Sequence, residues 1–216
     1  MSKFFLLASI AVGASALNAI DGSASARIRA KARLREALSK DDRVSNPDVI
    51  AAVDALAIYN PTEAPARSEA FLSDFQKLNA PEFKGDMGLA EDGRRQYTLG
   101  RMTFGIYEPK DLVCAIDKVF NPVLRRDDVI EYNLEIPLSF TDAEGRTASG
   151  TLFNWAQCAP LTDDRMGVTF TGGALCPAGD GSVDEECEAV WAGTFGAEFE
   201  KKPRKRDRLV SWLLNG

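Results

Sequence analysis

Between Val129 and Thr141 apolar and polar positions alternate without a break. Ile130, Tyr132, Leu134, Ile136, Leu138 and Phe140 fall on one side, and Glu131, Asn133, Glu135, Pro137, Ser139 and Thr141 on the other. A period of two puts successive side chains on opposite faces of a strand, so one face is dry and one is wet. The segments Tyr97–Tyr107, Leu112–Phe120, Arg146–Ala156, Arg165–Thr171 and Ala189–Phe199 also read as strands. Between them lie turn signals, among them Glu108-Pro109-Lys110-Asp111, Asn121-Pro122, Asp142-Ala143-Glu144-Gly145 and Thr162-Asp163-Asp164. Strands at hairpin spacing without intervening helices predict an antiparallel sheet, curled into a barrel or half-barrel. Pro137 lacks the N–H of a ladder and predicts an edge or a bulge there.

Upstream the period lengthens. Ser45-Asn46-Pro47-Asp48 supplies a capping side chain, a proline for the first turn and an acid at the positive dipole end. Val49, Ile50, Val53, Leu56 and Ala57 follow at helical spacing, and Asn60-Pro61 stops the helix. Phe71, Leu72, Phe75 and Leu78 suggest a second helix from about residue 67, ended by Asn79-Ala80-Pro81. The fold class is therefore mainly β (α+β), with one or two helices preceding an antiparallel barrel or half-barrel.

The N-terminus reads as an address. After the basic start at Lys3, residues 4–16 are apolar and small and end in Ala14-Ser15-Ala16, a cleavage signal. The run is too short for a spanning helix, so 1–16 reads as a signal peptide. Residues 17–40 carry Arg27, Arg29, Lys31, Arg33, Arg35 and Lys40 against Asp21 and Glu36, among many Ala and Ser, which is transit-peptide composition. A two-part leader of this kind resembles those that deliver proteins to plastids with extra membranes. The competing expectation is a secreted protein with a basic first helix. Against it, the one near match to a glycosylation acceptor, Asn60-Pro61-Thr62, is blocked by its proline. The main domain is then 41–200, followed by a tail, 201–216.

Composition narrows the chemistry. The net charge is −6, whereas a general nucleic-acid binder is normally basic. There is no histidine, which removes the commonest general base and most transition-metal sites. Cys114, Cys158, Cys176 and Cys187 include no Cys-x-x-Cys pair. Cys176 and Cys187 flank a loop and allow either a disulfide or reduced thiols; a plastid stromal address favours the thiols. Phosphate-binding glycine loops and nucleophile elbows are missing. The adjacent acids Asp127-Asp128, Asp163-Asp164 and Glu185-Glu186 read as solvated turns. The expectation is a non-enzyme without cofactor or metal.

Three stretches carry a resemblance to the plastid lipid-associated (fibrillin) family. Residues 52–65 (AVDALAIYNPTEAP) are similar to its opening helix and Asn-Pro-Thr turn. Residues 97–122 (YTLGRMTFGIYEPKDLVCAIDKVFNP) resemble its first long hairpin, and 170–177 (FTGGALCP) a later strand ending in a Leu-x-Pro turn. The chain departs from the family in two places. Residues 77–85 lack the expected Gly-x-Trp strand, and no Tyr-Leu-Asp-Glu type closing strand follows. The resemblance implies a lipocalin-like barrel that binds or coats quinone, carotenoid or acyl lipid at thylakoids or plastoglobules. The alternative is a structural or assembly partner of a thylakoid membrane protein complex.

A lipid site would be mostly apolar and aromatic with few polar groups. The candidates are Phe104, Ile106, Tyr132, Leu134, Ile136, Phe153, Trp155, Phe170, Trp191 and Phe195, with Arg101 to meet a carboxylate or carbonyl head. Plain core packing is the competing reading for each apolar residue. In the tail, Lys201, Lys202, Arg204, Lys205, Arg206 and Arg208 precede Trp212 and its apolar neighbours, a pattern suited to an anionic membrane surface.

Overall fold

The computed structural model describes residues 22–196 apart from Asp42, Val44, 80–82, Asp117 and 178–184. The chain opens with α1 (Gly22–Lys40) and α2 (Pro47–Ala57). Asn46 caps α2 as its side chain suggests: Oδ1 accepts from the Asp48 N–H at 2.9 Å, and the Ile50 N–H bonds the Asn46 carbonyl. The expected second helix is not formed. Its residues make two single 3₁₀ turns (Pro65–Arg67 and Glu69–Phe71) and a short strand, β1 (Asp74–Gln76). Pro65 and the Ser68 cap favour short turns, and pairing to a later strand outweighs a marginal isolated helix.

The remaining strands are β2 (Arg95–Thr98), β3 (Val113–Ile116), β4 (Phe120–Arg126), β5 (Val129–Tyr132), β6 (Leu134–Thr141), β7 (Thr147–Pro160) and β8 (Met166–Pro177). All the pairings are antiparallel. β7 is the spine. One side of it pairs β6 and then β5, and the other side pairs β8. β3 and β4 lie beyond β6 and β5, and β2 and β1 complete that edge. Among the described residues no pairing joins β8 back to β1 or β2. The architecture is thus a mainly antiparallel β-sheet with a few helices.

Two expected strands take other forms. Tyr97–Tyr107 is strand only as far as Thr98; Leu99–Met102 is a single helical turn, α3. Phe104 (φ 54°) and Gly105 (φ 76°) then reverse the chain in the left-handed region, with Gly105 N–H on the Gly100 carbonyl at 2.7 Å. Of the expected strand Ala189–Phe199, the described part is not strand: Glu185–Phe195 is helical, α4, with Glu185, Glu186 and Glu188 in its first turn, where the dipole favours acids. Asn121-Pro122 is not a turn but lies inside β4. The proline is tolerated because β4 meets only the three-residue β1 on that side. Pro137 sits in β6 across from the interruption between β3 and β4: on that side β6 pairs at Leu138–Phe140 and again at Glu135.

One face of the sheet carries the core in two clusters. The larger joins Ile136, Leu138 and Phe140 of β6 and Leu152 of β7 to Leu99 and Met102 of α3 and Val190 and Trp191 of α4. The smaller joins Val123, Tyr132, Ala156 and Cys158 to Phe75, with Phe71 and Leu72 against it. Leu134 packs on both. A third small cluster holds α1 to α2 through Ala30, Leu34, Val49 and Leu56.

The four cysteines are free thiols. Cys114, Cys158 and Cys176 are buried and Cys187 is half-buried. Burial pushes the Cys114 thiol up to about 12 and Cys158 up to about 11, which suppresses the reactive thiolate. A thiol-specific reagent at neutral pH is expected to titrate Cys187 quickly in the native protein, and the other three only on unfolding. Prompt labelling of Cys114 would contradict this packing.

Candidate functional site

The face opposite the core is the one the strand alternation marks as wet, yet part of it is aromatic. Register brings Gln76, Phe120, Glu135, Phe153 and Ala174 into one row across the strands. Residues directly opposite in antiparallel pairs share a face. Trp155 projects from the same face two positions along β7, beside Gly172 of β8. Leu124 does so from β4, in a row with Glu131 and Gln157. Phe120 and Leu124 are exposed at 37% and 43%, and Phe153 and Trp155 are half-buried. Toward the other end this face turns polar: Ser139 and Ser149 lie opposite each other, and Arg94 donates to the Ser139 hydroxyl at 2.7 Å. The outer face therefore grades from a hydroxyl-lined end to an aromatic end.

Glu135 stands between Phe120 and Phe153. Desolvation, and secondarily the charge of Asp74, hold its carboxyl above the usual carboxylate range. A raised carboxylate pKa means that the folded protein prefers the protonated form. Its ionised form destabilises the fold at neutral pH, and that penalty is relieved as pH falls through the raised value toward the unfolded one. Glu135→Gln is expected to raise the thermal midpoint at pH 7, with the gain vanishing below about pH 4. A gain independent of pH in parallel melting curves would remove ionisation as the cause.

The expected site residues divide between the faces. Tyr132, Ile136 and Trp191 are buried in the core clusters, and Leu134, Phe170 and Phe195 pack against them. Burial pushes the Tyr132 hydroxyl up to about 12. Tyr132 and Phe170 belong to the smaller cluster, Ile136, Trp191 and Phe195 to the larger and Leu134 to both, so core packing accounts for them. Trp191 donates its indole N–H to the Ser149 carbonyl at 3.0 Å. Its ring stacks edge-on against Phe140 and tilted against Phe195. Phe153 and Trp155 lie on the outer face, so Trp155 and Trp191 are not brought together. Phe104 is 54% exposed and Ile106 is half-buried, both after the reversal behind α3. Arg101 is exposed on α3 and leans over Gly85. The membrane-surface candidates Lys201, Lys202, Arg204, Lys205, Arg206, Arg208 and Trp212 lie outside the described residues. Reading Asn121-Pro122 as a turn hid Phe120 and Leu124. Their spacing of four, an even number, was the signal that both would share a strand face.

Chemically, the aromatic end of this face can take apolar chains or rings out of water, and Glu135 and Asp74 give it an acidic bias. No family model, no curated protein and no solved structure matches this chain. Among the described residues no helix is long and apolar enough to cross a membrane, which says nothing of crossing by strands.

Proposed function

We propose that this protein is a plastid lipid-associated module that coats lipid at thylakoids or plastoglobules, with its sheet acting as a lipocalin-like half-barrel. The observation that carries the reading is the outer-face band of Phe120, Leu124, Phe153 and Trp155, apolar surface left partly in water. Exposed apolar patches on a soluble fold mark a partner or a lipid surface. The burial of Tyr132 in the smaller core cluster and of Ile136 and Trp191 in the larger favours contact at the surface over a ligand enclosed in the sheet. The resemblance to plastid lipid-associated proteins points to the compartment, and to quinone, carotenoid or acyl lipid as the ligand class.

The test is flotation of the full chain with emulsion droplets of neutral lipid. Co-flotation that Phe153→Ser/Trp155→Ser abolishes is the expected result. A wild-type chain that stays in the dense fractions would overturn the coating reading.

A second reading, an assembly partner of a thylakoid protein complex, has one observation in its favour. β8 is twelve residues long and, among the described residues, pairs only through β7. A bare strand edge can accept a strand from another chain. Recovery of a stoichiometric thylakoid protein that survives high salt and delipidation would favour this reading.

A further inference from the structure

The segment 17–40 has the composition of a cleavable leader, yet most of it is the helix α1, and α1 is packed on α2. Ala30 and Leu34 are each 6% exposed, packed with Val49 and Leu56 of α2, which are 2% and 5% exposed. Ala37 and Leu38 add to the same contact. Removing α1 would open the apolar side of α2 to water.

The rest of α1 is cationic. It carries Arg27, Arg29, Lys31, Arg33, Arg35 and Lys40 against the single acid Glu36, a net of +5 in a chain whose total is −6. At 1.5 Å per residue this charge is spread over about 20 Å. Arg29, Arg33 and Arg35 are exposed, and Ile28 is 67% exposed in their midst. Glu36 is already matched by Lys40 at 2.8 Å, which leaves the arginines in excess. A helix with one side seated on α2 and the other presenting cations around an apolar residue fits a flat anionic headgroup layer. The strongly acidic balance of the remaining chain disfavours wrapping by a long polyanion such as nucleic acid.

We propose that α1 is a resident docking helix of the mature protein: any leader cleavage falls upstream of it, and its arginine-rich side binds an anionic lipid surface. The proposal rests on the lipid reading above and names the element that reaches the membrane first. Binding weakens with salt, because exposed charges are screened within about 8–10 Å at physiological ionic strength.

The test uses the full chain in three forms: unaltered, Arg29→Gln/Arg33→Gln/Arg35→Gln, and Lys201→Gln/Lys202→Gln/Arg204→Gln. Each is sedimented with vesicles of phosphatidylcholine mixed with phosphatidylglycerol, and with phosphatidylcholine alone. Glutamine keeps helix propensity, and an unchanged thermal midpoint verifies that α1 stays seated. The helix variant is expected to lose anionic-vesicle binding by at least about tenfold. Binding equal to the unaltered chain, with loss confined to the tail variant, would overturn the proposal and leave the lipid reading standing. So would droplet flotation without any vesicle binding. Heparin binding in its place would assign the arginines to a polyanion and overturn the proposal too. The mass of the mature protein from its native membrane supplies an independent readout: a start at or before Gly22 supports retention, and a start near Asp41 sinks it.

Discussion

Trp191→Ala is expected to lower the free energy of unfolding by about 4 kcal/mol. The residue is 3% exposed and fastens α4 to the sheet in two ways. Its ring packs among Phe140, Phe195 and the larger core cluster. Its N–H also satisfies the Ser149 carbonyl, so truncation leaves both a cavity and a lost donor. Urea unfolding followed by circular dichroism measures the loss. A change under about 1 kcal/mol, typical of a surface site, would mean that α4 is not seated here.

The complementary substitution lies directly beneath that ring. A Cβ on Gly150 would fall 2.3 Å from the Trp191 ring and 2.6 Å from the Cys176 carbonyl oxygen. The second contact is backbone in the paired strand β8 and cannot swing aside. Gly150→Ala is therefore expected to cost about 2–3 kcal/mol by overpacking. The two changes share a partner and should not add. With Trp191 already alanine, the ring clash disappears and the contact with the Cys176 carbonyl remains, so Gly150→Ala should cost less but not nothing. Strict additivity in the double-mutant cycle would show that the ring does not lie over Gly150.

This pair bears on what the sequence could reveal. Strand structure across Val129–Thr141 was legible because its alternation is long and one face is consistently apolar, but its division into β5 and β6 at Asn133 was not. The start of α2 was legible because Asn46 and Pro47 act locally, through a cap and a fixed backbone angle. α4 was not legible: in Ala189–Phe199 the apolar residues form a short cluster that fits either period, and the choice is made by docking on Phe140 and Gly150, far away in sequence. The acids at 185, 186 and 188 were the local signal for a helix start. The reading of 67–78 failed for a similar reason. Phe71, Leu72 and Phe75 have helical spacing, but they are held by the smaller core cluster and by pairing to β4.

The candidate site was legible only in part. Aromatic residues on strands were easily found, but the face each one takes depends on register. Phe153 lies opposite Glu135 and Ile136 lies opposite Leu152, so strand neighbours in the list of apolar candidates point to opposite sides of the same sheet. The basic segment 27–40 was read from composition alone, which does not reveal that Ala30 and Leu34 have a partner in α2.

The breaks in the ladder have a mechanical consequence. β5 gives way to β6 at Asn133, and on the neighbouring strand β3 gives way to β4 within a few residues of the same level. β7 and its partner β8 run through both ends, and among the described residues Leu134 alone touches both core clusters. The sheet is thus two plates joined along a crease by the continuous β7–β8 pair. Compliance concentrates where ladder bonds and shared packing are fewest. The Phe120–Phe153 row lies along that crease, so the surface proposed to meet lipid falls where the sheet is best able to change its curvature, while α4 stays clamped at the other end.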